Sequence, residues 1–355
     1  MDIIKGRKSV RTYDGRLLAE EDREKLEKVI AGAANPYGIE IEYRFLEPAT
    51  YGLKSPVLSG ETLYLAAKVK KEPHFEEALG YSLEAVVIGA WKLGIGTVWI
   101  GGTMNRDAFE AAMDLAPDEV MPCVTPVGYP AAKRALREVM MRKGVKADWR
   151  LKVADIASEG SAGSPLTKES LDVFGEALEM VRWAPSAVNK QPWRVIVQGQ
   201  KVHFYEKPDK GYVSEKTGDL QRIDVGIGMY HFVYGMEARG LKPVLLTEDP
   251  GIEVPSDWQY VATFDVEDEQ IRRILYYEGL LNKAQDLLAR GELTEGQAAE
   301  LREAAGELDI YLSSGEWRSD FEDDEAGLLP KDLPRGVLSE DGIYNVLEAS
   351  AARLS

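Results

Sequence analysis

Polar and apolar positions along the first 266 residues switch repeatedly between two periods. From Glu20 to Ala34 the apolar residues Leu26, Val29, Ile30 and Ala33 recur at helical spacing, and Ile39, Ile41, Tyr43 and Phe45 then alternate as a strand does. His74 to Leu93 is long and largely apolar, which predicts a helix buried between layers, with a strand at Thr97 to Ile100 behind it. The order returns with a helix at Lys168 to Trp183, strands at Trp193 to Val197 and Val202 to Tyr205, a helix at Arg222 to Arg239, and a last strand at Tyr260 to Phe264. Beyond Val266 the strand pattern stops. Helices are expected at about 268 to 290 and 294 to 313, the second opened by a Thr294 and Gln297 capping box. An acidic, proline-containing loop, DFEDDEAGLLPKDLPRG, leads to Ser339 as the N-cap of a last short helix, with Glu340 and Asp341 in its first turn.

The recurrence is visible in the residues themselves. GYSLEAVVIGAWKLGIGTV from Gly80 overlays GIGMYHFVYGMEARGLKPV from Gly226 at an offset of 146, so Gly80, Gly89 and Gly94 fall on Gly226, Gly235 and Gly240. Glycine within a helix costs about 1 kcal/mol relative to alanine, so matched glycines point to helices that must pack closely. Upstream, LEKVIAGA from Leu26 overlays LEMVRWAP from Leu178 at offset 152, and Arg44 in EYRFLE then meets Arg194 in PWRVIV. Residues 1 to 155 and 156 to 266 are therefore expected to be two copies of one α+β unit, joined by the small-residue linker SEGSAGSPL at 158 to 166.

Charge sets the tail apart. The net charge is −17, and residues 267 to 355 hold 9 basic and 21 acidic residues, so −12 of it lies there and −5 in residues 1 to 266. Such a balance argues against a general nucleic-acid binder. The longest apolar stretch, near Ala85 to Trp91, stops at Lys92, far short of the roughly 18 residues a membrane span needs. The basic start, MDIIKGRKSVRTYDG, has no apolar run behind it, and a single cysteine, Cys123, excludes an intrachain disulfide; both suit the reducing cytoplasm. Three scattered histidines, His74, His203 and His231, give no metal-ligand spacing.

Chemistry concentrates in a few segments. GIGTVW at Gly94 and GIGMYH at Gly226 lack the third glycine of a dinucleotide fingerprint, and neither a Walker A sequence nor a GxSxG elbow occurs. In IKGRKSVRTY, Arg7, Ser9 and Arg11 alternate, so an extended backbone would set two guanidinium groups and a hydroxyl on one face, a fit for phosphate; the alternative is a solvated basic terminus. The basic run KRALREVMMRKGVKADWR from Lys133 would complete such a site through Arg134 or Arg137, or else forms a solvated helix face. WAPSAVNKQPWRVIV, residues 183 to 197, offers Pro185, Ser186, Asn189 and Gln191 ahead of a strand, groups able to bond the edge of a planar heterocycle; otherwise it is an ordinary turn between helix and strand.

RKSVR before the first helix, APSAVNKQPW in the second copy, LGIGTVWIGG and PVGYPA together resemble the FMN-dependent nitroreductase superfamily, in its variant with two halves fused in one chain. The resemblance covers residues 1 to 266; the tail, through YLSSGEWRSDFEDDE and LPKDLPRGVLSEDGIYNVL, resembles a small helical domain of unknown function. It implies a three-layer α-β-α fold built as an internal pseudo-dimer, with a small all-α module at residues 267 to 355. It implies further that Arg7 and Ser9 hold the FMN phosphate and ribityl chain, and that Arg11 approaches the N1 and C2 carbonyl region, where a cation stabilises reduced flavin. Pro185, Ser186, Asn189 and Gln191 would reach the flavin from the other half, Gly101 and Gly102 would face flavin N5, and Arg137 would contact phosphate.

The two halves depart from the pattern in complementary ways. The first has AGAANPYG in place of the serine-asparagine loop, keeping only Asn35 and Pro36, while the second has Glu159, Ser161 and Gly163 where Arg7, Ser9 and Arg11 stand. Each half supplies what the other has lost, so one flavin per chain and a complete site within the monomer are expected. The activity implied is an NAD(P)H oxidoreductase passing hydride through flavin to a nitroaromatic, quinone or similar acceptor in a ping-pong cycle, with no side-chain nucleophile. The rival is a non-catalytic flavin-binding or flavin-sequestering protein whose acidic tail docks a partner.

Overall fold

The computed structural model describes residues 1–267, 269–329 and 333–354. It divides into two compact units, Met1–Arg239 with Pro243–Val266, and Gly240–Lys242 with Glu267–Ser355.

In the first unit two long helices, Phe75–Lys92 and Leu220–Glu237, form the centre. Their matched glycines explain how. A Cβ on Gly80 would collide with the Ile223 carbonyl oxygen, and one on Gly226 would collide with that of Glu77. Residues 77 and 223 are themselves 146 apart, so the contact is reciprocal under the offset that relates the two sequences. Gly89 packs against Val29 of helix Glu20–Ala31, and Gly235 against Ala177 of helix Lys168–Trp183, so each central helix is covered by a helix from earlier in the chain. Gly94 and Gly240, with φ of 76° and 78°, let the chain turn away after each central helix, a conformation that suits glycine.

Two sheets accompany these helices. In the first, Tyr64–Lys70 pairs antiparallel with Glu42–Leu46 (Tyr43 opposite Ala67), with Glu119–Val120 and with Val124–Pro126. The Tyr64–Lys70 strand escaped the sequence pattern because its first six residues are all buried, which removes the alternation that marks a half-exposed strand. The expected strand at Thr97 to Ile100 is reduced to isolated bridges, Ser9 to Thr97 and Ile100 to Val124. The second sheet runs in the order Lys242–Leu246, Gln259–Glu267, Lys201–Glu206, Trp193–Gln198 and Ala157–Glu159. Its edge corrects the linker: Ser158 and Glu159 pair in parallel with Ile196 and Val197, so the start of SEGSAGSPL belongs to the sheet.

The second unit contains helices Glu269–Leu288, Glu295–Leu312, Gly315–Glu325 and Glu340–Leu354 around a core that includes Ile274, Leu281, Leu308, Tyr311, Trp317 and Ile343. The Thr294 and Gln297 capping box forms with both bonds present. The acidic loop expected from Asp320 is in part helix, because Asp320 is buried and satisfied: Arg273 donates to it at 2.6 and 2.9 Å and the Tyr311 hydroxyl at 2.7 Å. The Leu329 to Leu333 part of that stretch includes three positions, 330–332, outside the described residues. Among the described residues no helix is long and apolar enough to cross a membrane.

Candidate functional site

The site begins where the short helix Asp2–Gly6 ends. Arg7 is extended (φ −61°, ψ 131°), and the Val10 N–H donates to the Thr97 carbonyl at 2.9 Å, which lays the N-terminal segment along the GIGTVW segment. Arg7, Ser9 and Arg11 then line one cavity of about 430 Å³. Gly101 and Gly102 line it too, and so do Pro185, Ser186 and Asn189 from the loop that follows helix Lys168–Trp183. Leu220, Ile223, Asp224 and Ile227 of the second central helix complete it, with Val98 and Ile100 adding apolar wall. Segments from opposite halves of the sequence thus share one hollow, apolar on one part of its lining and cationic on another.

Several guanidinium nitrogens at the cavity lack acceptors. Arg7 is buried, and its Nε is 3.9 Å from Glu84, outside hydrogen-bonding distance; Nε and Nη1 bond to nothing, nor do Nε of Arg11 and Nε of Arg150. Burial lowers the Arg7 pKa, Glu84 opposes the shift, and Arg142 adds to it. Burial likewise lowers Arg11, against Glu138. Arg150 is pushed down to about 10 by burial and then by Arg7, so it remains charged at neutral pH. Buried guanidinium N–H groups without acceptors are costly, and an anion would relieve the cost.

Beneath Arg7, Glu84 accepts from the Trp99 indole at 2.8 Å and bonds His231 Nε2 at 2.9 Å. His231 Nδ1 is 3.0 Å from the Met180 carbonyl, which can only accept, so Nδ1 carries a proton.

The loop at 184–191 is held under strain. Val188, Asn189 and Gln191 have φ of 50°, 58° and 53°, a left-handed conformation that costs a β-branched residue on the order of 1–3 kcal/mol. Four sets of bonds hold it. Both oxygens of Asp224 accept the Ala187 N–H at 2.9 and 3.0 Å, and Ser186 Oγ accepts the Gln191 N–H at 2.9 Å. Asn189 Nδ2 donates to the carbonyls of Lys146 and Trp149, each at 3.0 Å, and Gln191 Oε1 accepts from Leu151 N at 2.9 Å. Burial raises the Asp224 pKa well above its usual value despite the Ala187 bond.

Two expected residues are not brought to the cavity. Gln191 is fully buried behind the loop, with its side-chain carbonyl occupied by Leu151. Arg137 is exposed and donates to the Pro56 carbonyl, while the basic run enters the cavity through Arg142 and Arg150 instead. Gly101 and Gly102 line it with φ outside the left-handed region, and the Gly101 carbonyl accepts from Arg106 at 2.5 Å. Glu84, Asp224 and His231 were missed in the sequence; the available signal was an ionisable residue inside an otherwise apolar helix. Cys123 also lines the cavity, but burial pushes its thiol up to about 12, which excludes a thiolate nucleophile at neutral pH. No group of side chains suited to a metal ion occurs among the described residues.

Residues 1–236 match the family model described as "Putative TM nitroreductase", and residues 274–354 match "Domain of unknown function (DUF4298)". The chain belongs to the nitroreductase family, whose members are oxidoreductases, and carries a second, helical domain C-terminal to that region. It is similar to a "Putative NADH dehydrogenase/NAD(P)H nitroreductase" of Archaeoglobus fulgidus, 26% identical over 155 residues, which cover 39% of this chain and 89% of the relative. Among solved structures, a "putative nitroreductase" of Thermotoga maritima aligns with a TM-score of 0.49 and 19% identity over 75% of this chain and 93% of its own. An "FMN-dependent Nitroreductase" of Clostridium difficile aligns with a TM-score of 0.33 and 16% identity over 37% and 88%.

Proposed function

We propose that the cavity binds FMN and that the protein is a flavin-dependent NAD(P)H oxidoreductase. The observation that carries this reading is the set of buried guanidinium N–H groups without acceptors on Arg7, Arg11 and Arg150, around a cavity that also has an apolar wall of Val98, Ile100, Ile223 and Ile227. That pairing suits a molecule with a phosphate at one end and a planar ring at the other. Arg7 and Ser9 would hold the phosphate and ribityl chain, joined by Arg150 and Arg142, while Arg11 would favour the reduced, anionic ring. Pro185, Ser186 and Asn189 would bound the ring from the other half of the chain, Gly101 and Gly102 would leave it room, and Gln191 would act by fixing the loop.

Bound flavin supplies hydride chemistry, with reduced nicotinamide and a nitroaromatic or quinone acceptor visiting in alternation. The protein's own part is to orient the partners and exclude water with Val98, Ile100, Ile223 and Ile227.

The reciprocal Gly80 and Gly226 contacts support reading residues 1 to 155 and 156 to 266 as an internal pseudo-dimer with one competent site. The opposite combination has little to offer a cofactor: the Asn35 side chain bonds Ile39, Ser82 and Tyr37 within its own half, and Glu159 accepts from Thr167.

An absorbance spectrum of the purified protein tests the reading, with a flavin band bleached anaerobically by NADH or NADPH and restored by a quinone as the expected result. A colourless protein that does not take up added FMN would overturn it.

A further inference from the structure

Three residues of the cavity wall, Arg142, Ala147 and Asp148, also line a second hollow of about 410 Å³. Its other lining includes Arg134, Lys143, Lys146 and Trp149. Four cations therefore meet one carboxylate, and that carboxylate is already bonded to Arg142 at 2.6 Å. Arg134 is paired with Glu138 at 3.1 Å, whereas the ammonium groups of Lys143 and Lys146 form no hydrogen bond or ion pair among the described residues. Trp149 leaves 52% of its surface open beside them.

This hollow is tied to the cavity by more than proximity in sequence. Asn189, from the strained loop, clasps the carbonyls of Lys146 and Trp149, and Arg150 donates to the Trp149 carbonyl at 2.8 Å. The turn that presents the indole and a free ammonium is thus held by residues that line the first cavity.

Free ammonium groups attract phosphate, and an open indole flanked by cations offers a stacking face to a purine. A bare anion would leave the indole unused, and a neutral aromatic would leave the charge unmet. We propose that this hollow is an adenosine-phosphate subsite, taking the adenosine end of a dinucleotide whose other end lies in the cavity. The proposal rests on the flavin reading above and extends it. Two molecules carry such an end, FAD in place of FMN and the phosphorylated nicotinamide dinucleotide.

The test uses the full-length, FMN-loaded protein and the unreactive probe 2′,5′-ADP in calorimetry. The probe should bind at least about tenfold more tightly than adenosine, and Trp149→Leu and the double variant Lys143→Ala/Lys146→Ala should each weaken it about tenfold, with FMN affinity changed less than about threefold. Weakened FAD affinity relative to FMN in the double variant would assign the subsite to the cofactor; a raised KM for NADPH with that for NADH unchanged would assign it to the reductant. Unchanged probe affinity in both variants would overturn the site, and pyrophosphate binding as tightly as 2′,5′-ADP would overturn the purine assignment. If FMN itself does not bind, the cavity reading fails separately, and the same probe titrated into the unloaded protein still decides the hollow.

Discussion

The proposed repeat sets two places in the molecule side by side, and they differ. At the cavity, the second central helix contributes Leu220, Ile223, Asp224 and Ile227. The residues 146 positions earlier are His74, Glu77, Ala78 and Tyr81. There the space is used by the chain itself: Tyr37 stacks on His74 with centroids 5.0 Å apart, and Arg222 bridges Glu77 and Glu206 at 2.9 Å each. One place leaves Nε of Arg7, Arg11 and Arg150 without an acceptor, while the other sets Arg222 between two carboxylates. On the proposed reading, the binding site is where the fold withholds an acceptor, and the counterpart is where partners are supplied.

The largest effect expected concerns that imbalance. Replacing Arg7 and Arg11 with Ala removes two charge-assisted bonds worth about 1.5 to 3 kcal/mol each, so FMN binding should weaken roughly a hundredfold or more. The wild-type titration should saturate at a single flavin per chain, and a ratio near two would mean that the counterpart is also a site. Near-unchanged affinity in the double variant would remove the phosphate assignment.

At the counterpart, Arg222→Met would strand Glu77 and Glu206 in the interior, which should cost about 3 kcal/mol of stability, since breaking a buried ion pair leaves an uncompensated charge. Urea unfolding measures this, and FMN affinity should stay within about threefold if the two places are independent. A large loss of flavin without a loss of stability would mean they are not.

The reciprocal helix contact predicts matched behaviour. Gly80→Ala and Gly226→Ala should each cost about 2 kcal/mol, because the added methyl meets backbone that cannot move aside, while Gly102→Ala, with open space around it, should stay within about 0.5 kcal/mol. A pronounced difference between the first two would break the symmetry claimed for that contact.

A further effect is a pH dependence. Burial, reinforced by Asp219 and resisted by Arg222, raises Glu206 from 4.5 to about 7. A carboxyl whose pKa rises on folding binds more protons folded than unfolded, so its contribution to stability falls as pH climbs from about 4.5 to about 7 and is level above that. Urea midpoints collected across that interval should show a shallower decline in Glu206→Gln, and identical slopes would refute the assignment.

Much of the scaffold could be read from neighbouring residues. Helix Lys168–Trp183 falls where its apolar spacing places it, and the Thr294 cap forms as its sequence indicates, because both depend on contacts within a turn or two. The matched glycines pointed to a close helix contact through their spacing alone. The site was less legible. Arg7, Ser9 and Arg11 could be grouped by alternation along one segment, but the lack of acceptors at Nε of the two arginines could not.

The chain by itself determined the period of the long helices, the recurring sequence pattern and the acidic tail, since these are properties of composition and local order. Only the tertiary structure decided which charges would be met. Arg137 and Arg142 are equivalent members of one basic run in the sequence; folding places the first on the Pro56 carbonyl and the second at the cavity. Glu84 meets His231 across 147 positions, and Asn189 closes the turn at Lys146. Hydrogen bonds and charges act over a few ångströms, so their partners are settled by which segments pack together, and no pattern along the chain states that in advance.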